Sequence, residues 1–203
     1  MHLAVGYCTP TKNIFNPEIL FFHTSFALQV PVMTTPIPSQ SITEFEGQLP
    51  GFLFIDHLAI MVPAEALEAQ VEAYTLMGFR VVHREDIGGS DQVREVLLQI
   101  GNSPNLIQLV SPTAATSPVQ KALERNNGKG GLHHVGFRVQ SAQAAYDWCV
   151  TNGFRVLEAA PRPGSRGTTV FFLHPKAKEQ APFHVLMEVV EDPAASSVEF
   201  GAK

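Results

Sequence analysis

Cysteine is nearly missing from this 203-residue chain: Cys8 and Cys149 are the two that occur. Two thiols cannot build a disulfide framework or a thiolate zinc cluster, and a chain this long buries enough surface to fold without either. Positive charge is also scarce. Fourteen Lys and Arg stand against 19 Asp and Glu, a net charge of −5, so there is no basic footprint for nucleic acid. Arginine is absent before Arg80, which leaves the N-terminal stretch without the charge that a transit peptide or a signal-peptide n-region carries. The apolar run Ile19–Val32 is interrupted by His23 and Gln29 and falls short of the roughly 18 residues that a membrane span needs. What remains, 45% hydrophobic and 16% charged with 15 Gly and 15 Pro, is ordinary globular composition and excludes disordered, collagen-like and coiled-coil chains. A cytoplasmic protein with neither a nucleic-acid nor a membrane partner is the expectation.

Composition shifts along the chain. Residues 1–40 hold one Lys (Lys12), one acid (Glu18) and no Arg, and Thr34–Ser41 is a Pro/Ser/Thr linker. Residues 1–51 are therefore expected to be a weakly ordered N-terminal extension, with Met33 a candidate true start, and residues 52–203 a single domain.

That domain repeats itself. Ile55-Asp-His-Leu-Ala-Ile-Met-Val62 alternates like a strand, Ala64–Leu76 reads as a helix, and Gly78-Phe-Arg-Val-Val82 as a helix stop followed by a strand. The same order returns in Leu132–Val139, Ala142–Thr151 and Gly153-Phe-Arg-Val-Leu157, so that the tetrapeptide Gly-Phe-Arg-Val begins at both Gly78 and Gly153. The strand pairs Arg94–Ile100 with Leu106–Val110, and Thr169–Leu173 with His184–Val190, complete the halves. The pattern predicts an α+β fold of two βαβββ modules, at about 52–112 and 131–192, each too small to bury its sheet alone.

Four polar residues repeat with it. His57 and His134 interrupt the apolar first strands, and Gln108 and Glu188 the apolar last strands, at nearly the same offset as the tetrapeptide. One such histidine is ordinarily a satisfied core residue, and one such Gln or Glu a solvated strand end. Four at equivalent positions, one of them ionised, are costly to bury without a shared ligand. Two imidazole nitrogens and two oxygens suit a divalent first-row metal with positions left for substrate. Alternation turns His133 away from His134, to a supporting or structural role.

The segments Ile55-Asp-His-Leu-Ala-Ile, His83-Arg-Glu-Asp, Ser117-Pro-Val-Gln-Lys-Ala-Leu, Gly131-Leu-His-His-Val-Gly-Phe-Arg-Val, Pro161-Arg-Pro-Gly and Phe172-Leu-His-Pro-Lys resemble the vicinal oxygen chelate superfamily, and within it the methylmalonyl-CoA epimerase family. The likeness covers about Ile55 to Val190. It implies paired βαβββ modules forming a curved, cup-shaped mixed sheet, with His57, Gln108, His134 and Glu188 as ligands of a divalent metal (Co, Mn, Zn, Ni or Fe). It also implies an acyl-CoA substrate epimerised at C2 by proton abstraction through a metal-stabilised enolate, and a homodimer. Glu95, in Val93-Arg-Glu-Val-Leu-Leu, matches the family's acid/base carboxylate, and its alternation with Val93 and Leu97 can turn it inward. Glu188 or a water is then the partner on the opposite face. Lys121, Arg166 and Lys176 are the cations available to the CoA phosphates. Gln at 108 departs from the glyoxalase pattern, and Ala177–Pro182 is longer than the family's Gly-rich turn. Other readings are a 4-hydroxyphenylpyruvate dioxygenase-like Fe(II) enzyme, a glyoxalase-type lyase, and a metal-independent metabolite- or drug-binding resistance module.

Overall fold

The computed structural model describes residues 48–177 and 182–193. Residues 1–47 of the expected extension 1–51, with the candidate start Met33, and most of the long 177–182 turn lie outside the described residues.

Module 1 runs β1 (Phe52–Met61), a 3-10 turn (Ala64–Ala66), α1 (Leu67–Leu76), β2 (Phe79–Ile87), β3 (Val93–Ile100) and β4 (Leu106–Pro112). The connecting helix α2 (Pro118–Arg125) starts where the Ser117 hydroxyl accepts the Val119 N–H at 3.2 Å, and proline at its first position gives up no hydrogen bond. Module 2 runs β5 (Gly131–Val139), α3 (Ala142–Thr151), β6 (Arg162–Pro163), β7 (Thr169–Leu173) and β8 (Leu186–Glu191). The Ser141 hydroxyl caps α3 by accepting the Ala144 N–H.

One element differs from the sequence pattern. Gly153–Leu157 forms no regular strand; Val156 makes a single bridge to Leu173, and the second strand of module 2 is the two-residue β6. Pro161 and Pro163 flank Arg162 and lack the N–H that a longer ladder needs, so β6 is confined to a short sheet edge. In module 1 the corresponding β2 has no proline and extends to Ile87.

All eight described strands form one curled mixed sheet, in the order β2-β3-β4-β1-β5-β8-β7-β6. The modules meet where β1 and β5 pair antiparallel at the centre. Strand alternation then divides the sheet cleanly. On one face Val96, Leu98 and Leu109 pack with Leu67 and Val71 of α1, and Phe171, Leu173 and Val189 pack with Ala145 and Cys149 of α3. Burial pushes the Cys149 thiol up to about 11, so it is an inert core residue. The other face carries Val93, Glu95, Gln108, Val110, His57, His134, Val170, Phe172, Glu188 and Val190, which line a cavity of about 360 Å³. Helix α2 packs Val119 and Leu123 onto Met61, Val93 and Val110 at this side. Among the described residues no helix is long and apolar enough to cross a membrane.

Candidate active site

Register places the four repeated polar residues. In the parallel pairing of β1 with β4, Gln108 stands opposite Ala59, two residues beyond His57. In the parallel pairing of β5 with β8, Glu188 stands opposite Gly136, two residues beyond His134. Between the modules His57 faces Gly136 and Ala59 faces His134. Because residues two apart share a face, Gln108, His57, His134 and Glu188 follow one another across the four central strands on the cavity side. The small residues Ala59 and Gly136 alternate with the two rings and leave them room.

Three donor atoms converge. His57 Nε2 lies 3.0 Å from His134 Nε2 and 3.0 Å from Glu188 Oε2, and His134 Nε2 lies 3.4 Å from Glu188 Oε2. Ligands about 2.1 Å from a first-row divalent ion sit about 3.0 Å apart at right angles and about 3.4 Å apart in a tetrahedron. Shared protons could account for these three groups alone. They do not account for Gln108, whose Nε2 donates to Glu95 Oε2 at 2.7 Å while its Oε1 is buried with no hydrogen-bond partner. A buried amide oxygen left unpaired is costly, and a cation in the cavity is what such an acceptor can serve. The donor set fits a divalent metal ion.

Each ring has a hydrogen-bond partner on the nitrogen that faces away from the cluster. Asp56 Oδ1 accepts from His57 Nδ1 at 2.8 Å, which turns Nε2 inward. Consecutive strand residues ordinarily point to opposite faces; a bulge between Ile55 and His57 lets Asp56 be buried beside its neighbour. Arg138, itself buried, donates to Asp56 Oδ2 and reaches Asp192 at 2.9 Å. The His57 ring also rests on Gly136, where a Cβ would stand 2.6 Å from Nδ1 and 2.9 Å from Nε2. His133 is not turned away as alternation predicts: it is half-buried, lines the cavity, and its Nδ1 meets His134 Nδ1 at 2.8 Å. Burial, and then the neighbouring His134, lower its pKa to about 4, so at neutral pH it is an uncharged hydrogen-bond partner of His134 Nδ1. His134 Nε2 is thereby turned toward His57 and Glu188. Burial works against the charge of both His57 and Glu188, but their mutual hydrogen bond and those from Asp56 and His134 outweigh it. His57 is raised to about 9 and Glu188 is held far below the usual carboxylate range.

Glu95 points inward from β3 and is 1% exposed. Burial pushes its carboxyl up, against the opposing influence of the nearby Ser165, Gln108, Arg166 and His83 side chains. The structure thus brings together His57, Gln108, His134, Glu188 and Glu95 in one cavity. Of the three cations considered for phosphates, Lys121 and Lys176 are exposed, whereas Arg166 lines the cavity and reaches Asp56 Oδ1 at 3.6 Å. Sequence reasoning gave no role to Asp56, Arg138, His83 or Ser165. A charged residue beside His57 in an apolar strand was the signal for Asp56; the others gave none, because the buried groups they meet lie far off along the chain.

Residues 56–172 match the model of the Glyoxalase/Bleomycin resistance protein/Dioxygenase superfamily. The chain is 35% identical over 124 residues to the ethylmalonyl-CoA/methylmalonyl-CoA epimerase of Cereibacter sphaeroides, covering 60% of this chain and 88% of that protein. Among solved structures it is similar to the methylmalonyl-CoA epimerase of Mycobacterium tuberculosis (TM-score 0.64, 27% identity, 74% of this chain and 96% of that one). It is similar also to a Streptomyces coelicolor methylmalonyl-CoA epimerase variant in complex with 2-nitronate-propionyl-CoA (TM-score 0.61, 35% identity, 70% and 99%). Two βαβββ modules joined through β1 and β5, four donors repeated between them, and these likenesses have one explanation: the chain belongs to the glyoxalase/bleomycin resistance/dioxygenase superfamily, within its methylmalonyl-CoA epimerase group.

Proposed function

We propose that this chain is a divalent-metal-dependent epimerase that inverts C2 of a malonyl-type acyl-CoA such as methylmalonyl-CoA or ethylmalonyl-CoA. His57, Gln108, His134 and Glu188 hold the metal, with cobalt, manganese, zinc, nickel and iron as the candidate ions. A bound divalent cation supplies Lewis-acid stabilisation of the negative charge that develops when the C2 proton leaves. Glu95 receives that proton on one face. Its carboxyl is sequestered from water, and burial raises its pKa toward the range where a carboxylate both accepts and returns a proton. Gln108 holds Glu95 through its amide N–H, so the base keeps a fixed direction relative to the donor cluster. Glu188, 9% exposed, or a water beside it, serves the opposite face. Apolar side chains of Val93, Val110, Val170 and Phe172 exclude bulk water around them. A cytoplasmic homodimer completes the reading, with sedimentation equilibrium as its check.

Gln108 is the observation that carries this assignment. Its amide serves the buried carboxylate and its carbonyl is free for the ion, which joins acid–base chemistry to metal binding in one side chain. A dioxygenase site with two His and one carboxylate has no use for that fourth donor, and a metal-independent resistance module has no use for the cluster at all. The test is deuterium uptake from D2O at C2 of methylmalonyl-CoA by Co(II)-loaded protein. Uptake by the wild type and its loss in Glu95→Gln, with metal content unchanged, is the expected result. A metal-loaded wild type that takes up no deuterium overturns the proposal.

A further inference from the structure

Inversion leaves an enzyme of this kind in the wrong protonation state. Glu95 ends a turnover holding the proton it took from C2, and the group on the other face has given one away. Another turnover in the same direction requires Glu95 to lose its proton first, yet Glu95 is 1% exposed. Its proton needs a way out.

Strand β2 provides one. Glu85 stands directly opposite Glu95 in the β2–β3 ladder, a pairing of like charges that is unfavourable unless something lies between them. His83 lies between them. Its Nε2 is 3.1 Å from Glu85 Oε2 and 3.7 Å from Glu95 Oε1. Glu95 Oε1 is the oxygen not taken by Gln108, and it has no hydrogen-bond partner of its own. The His83 side chain is 29% exposed and that of Glu85 42% exposed, so the three groups descend from solvent to the cavity. Glu85 Oε2 is fixed by the backbone N–H of Arg166 at 3.2 Å, on the loop that also brings Ser165 to the cavity. The separation of His83 from Glu95 exceeds a hydrogen bond, and closes by a small ring rotation or one bridging water. Acid–base pairs commonly tighten to working distance only with substrate bound.

We infer that His83 returns the Glu95 proton to solvent between turnovers, receiving it from Glu95 Oε1 on its Nε2 and handing it from that nitrogen to Glu85 Oε2. This rests on the epimerase reading above. No electrons move: the O–H bond of Glu95 breaks as the N–H bond forms on His83, and that N–H breaks as Glu85 is protonated and releases the proton to water. His83 ends neutral, ready for the next cycle. It touches no substrate and acts through Glu95.

The position of this step in the cycle gives it a signature. It follows product release, so it limits kcat and leaves kcat/KM, which reports only steps up to that release, unaffected. The experiment measures epimerisation of methylmalonyl-CoA by Co(II)-loaded wild type and His83→Gln, with and without added imidazole, alongside metal content. In His83→Gln, kcat is expected to fall about tenfold or more, up to the ~10²–10⁴-fold that positioned acid–base groups contribute. KM should fall with it so that kcat/KM holds, and imidazole should restore kcat in proportion to its concentration. Equal loss in kcat and kcat/KM without imidazole rescue makes His83 a brace for Glu95 and overturns the relay. So does an unchanged kcat. Loss of a second bound metal ion per chain in His83→Gln overturns it as well, since His83, Glu85 and Glu95 would then be metal ligands. A wild type that neither epimerises nor exchanges sinks the epimerase assignment itself, which separates the two failures.

Discussion

Gly136→Ala isolates the packing that aims the first histidine. Gly136 is not among the residues with positive φ, so alanine costs nothing in backbone conformation and the effect is purely steric. The new Cβ would stand 2.6 Å from His57 Nδ1, whereas carbon and nitrogen atoms in contact need about 3.5 Å. The ring must therefore move by about 1 Å. It cannot swing freely, because Asp56 holds Nδ1 at 2.8 Å and Arg138 holds Asp56. Metal sites tolerate about 0.2 Å of ligand displacement, so His57 Nε2 leaves its place 3.0 Å from His134 and Glu188. Overpacking should cost about 1–3 kcal/mol of stability. Affinity for Co(II) should fall by more than the ~10–100-fold typical of losing a supporting residue, because a ligand itself is displaced. Calorimetric titration with Co(II), the visible Co(II) absorption spectrum and thermal melts measure all three. The double variant His57→Ala/Gly136→Ala should recover stability without recovering affinity. Wild-type affinity and an unchanged Co(II) spectrum in Gly136→Ala would falsify the claim that glycine is required for His57 to reach the ion.

Asp56→Asn should weaken Co(II) binding by about 10–100-fold and destabilise the fold by about 3 kcal/mol, because the buried Arg138 loses the charge of its Asp56 partner; equal melting and affinity to wild type would contradict both roles. Gln108→Ala removes the free amide oxygen and the hydrogen bond to Glu95 together, so metal affinity and deuterium exchange should both drop, and loss of exchange at unchanged affinity would mean that Gln108 is no ligand. Leu109→Ala, under α1 on the opposite face of the sheet, should cost about 2–5 kcal/mol while leaving Co(II) binding intact; a change in affinity would show the two faces to be coupled. Metal at a hundredfold excess over its Kd should stabilise the protein by about 2.7 kcal/mol, seen as a fall in Tm on adding a chelator, and a Tm indifferent to chelation would place the ion elsewhere than this cluster.

The order of elements in the two halves, and the four polar residues His57, Gln108, His134 and Glu188 that meet in one cavity, were legible in the chain itself. Strand alternation and the 3.6-residue helix period are short-range, so α3 appears at the residues its pattern names, and apolar strands interrupted at repeat-equivalent sites mark polar side chains that meet in one cavity. Glu95 could be turned inward by alternation alone. The folded chain decided what depends on contacts between distant strands. A bulge in β1 lets Asp56 sit beside His57; the antiparallel register of β1 and β5 sets the His57 ring on Gly136; the β2–β3 ladder puts Glu85 opposite Glu95 with His83 between. The second Gly-Phe-Arg-Val segment makes only a single bridge, and the sheet edge is instead the two-residue β6, kept short by its prolines. Bulges, register and ring-on-backbone packing are settled by which surfaces meet, and a local period of two or 3.6 residues carries no information about that.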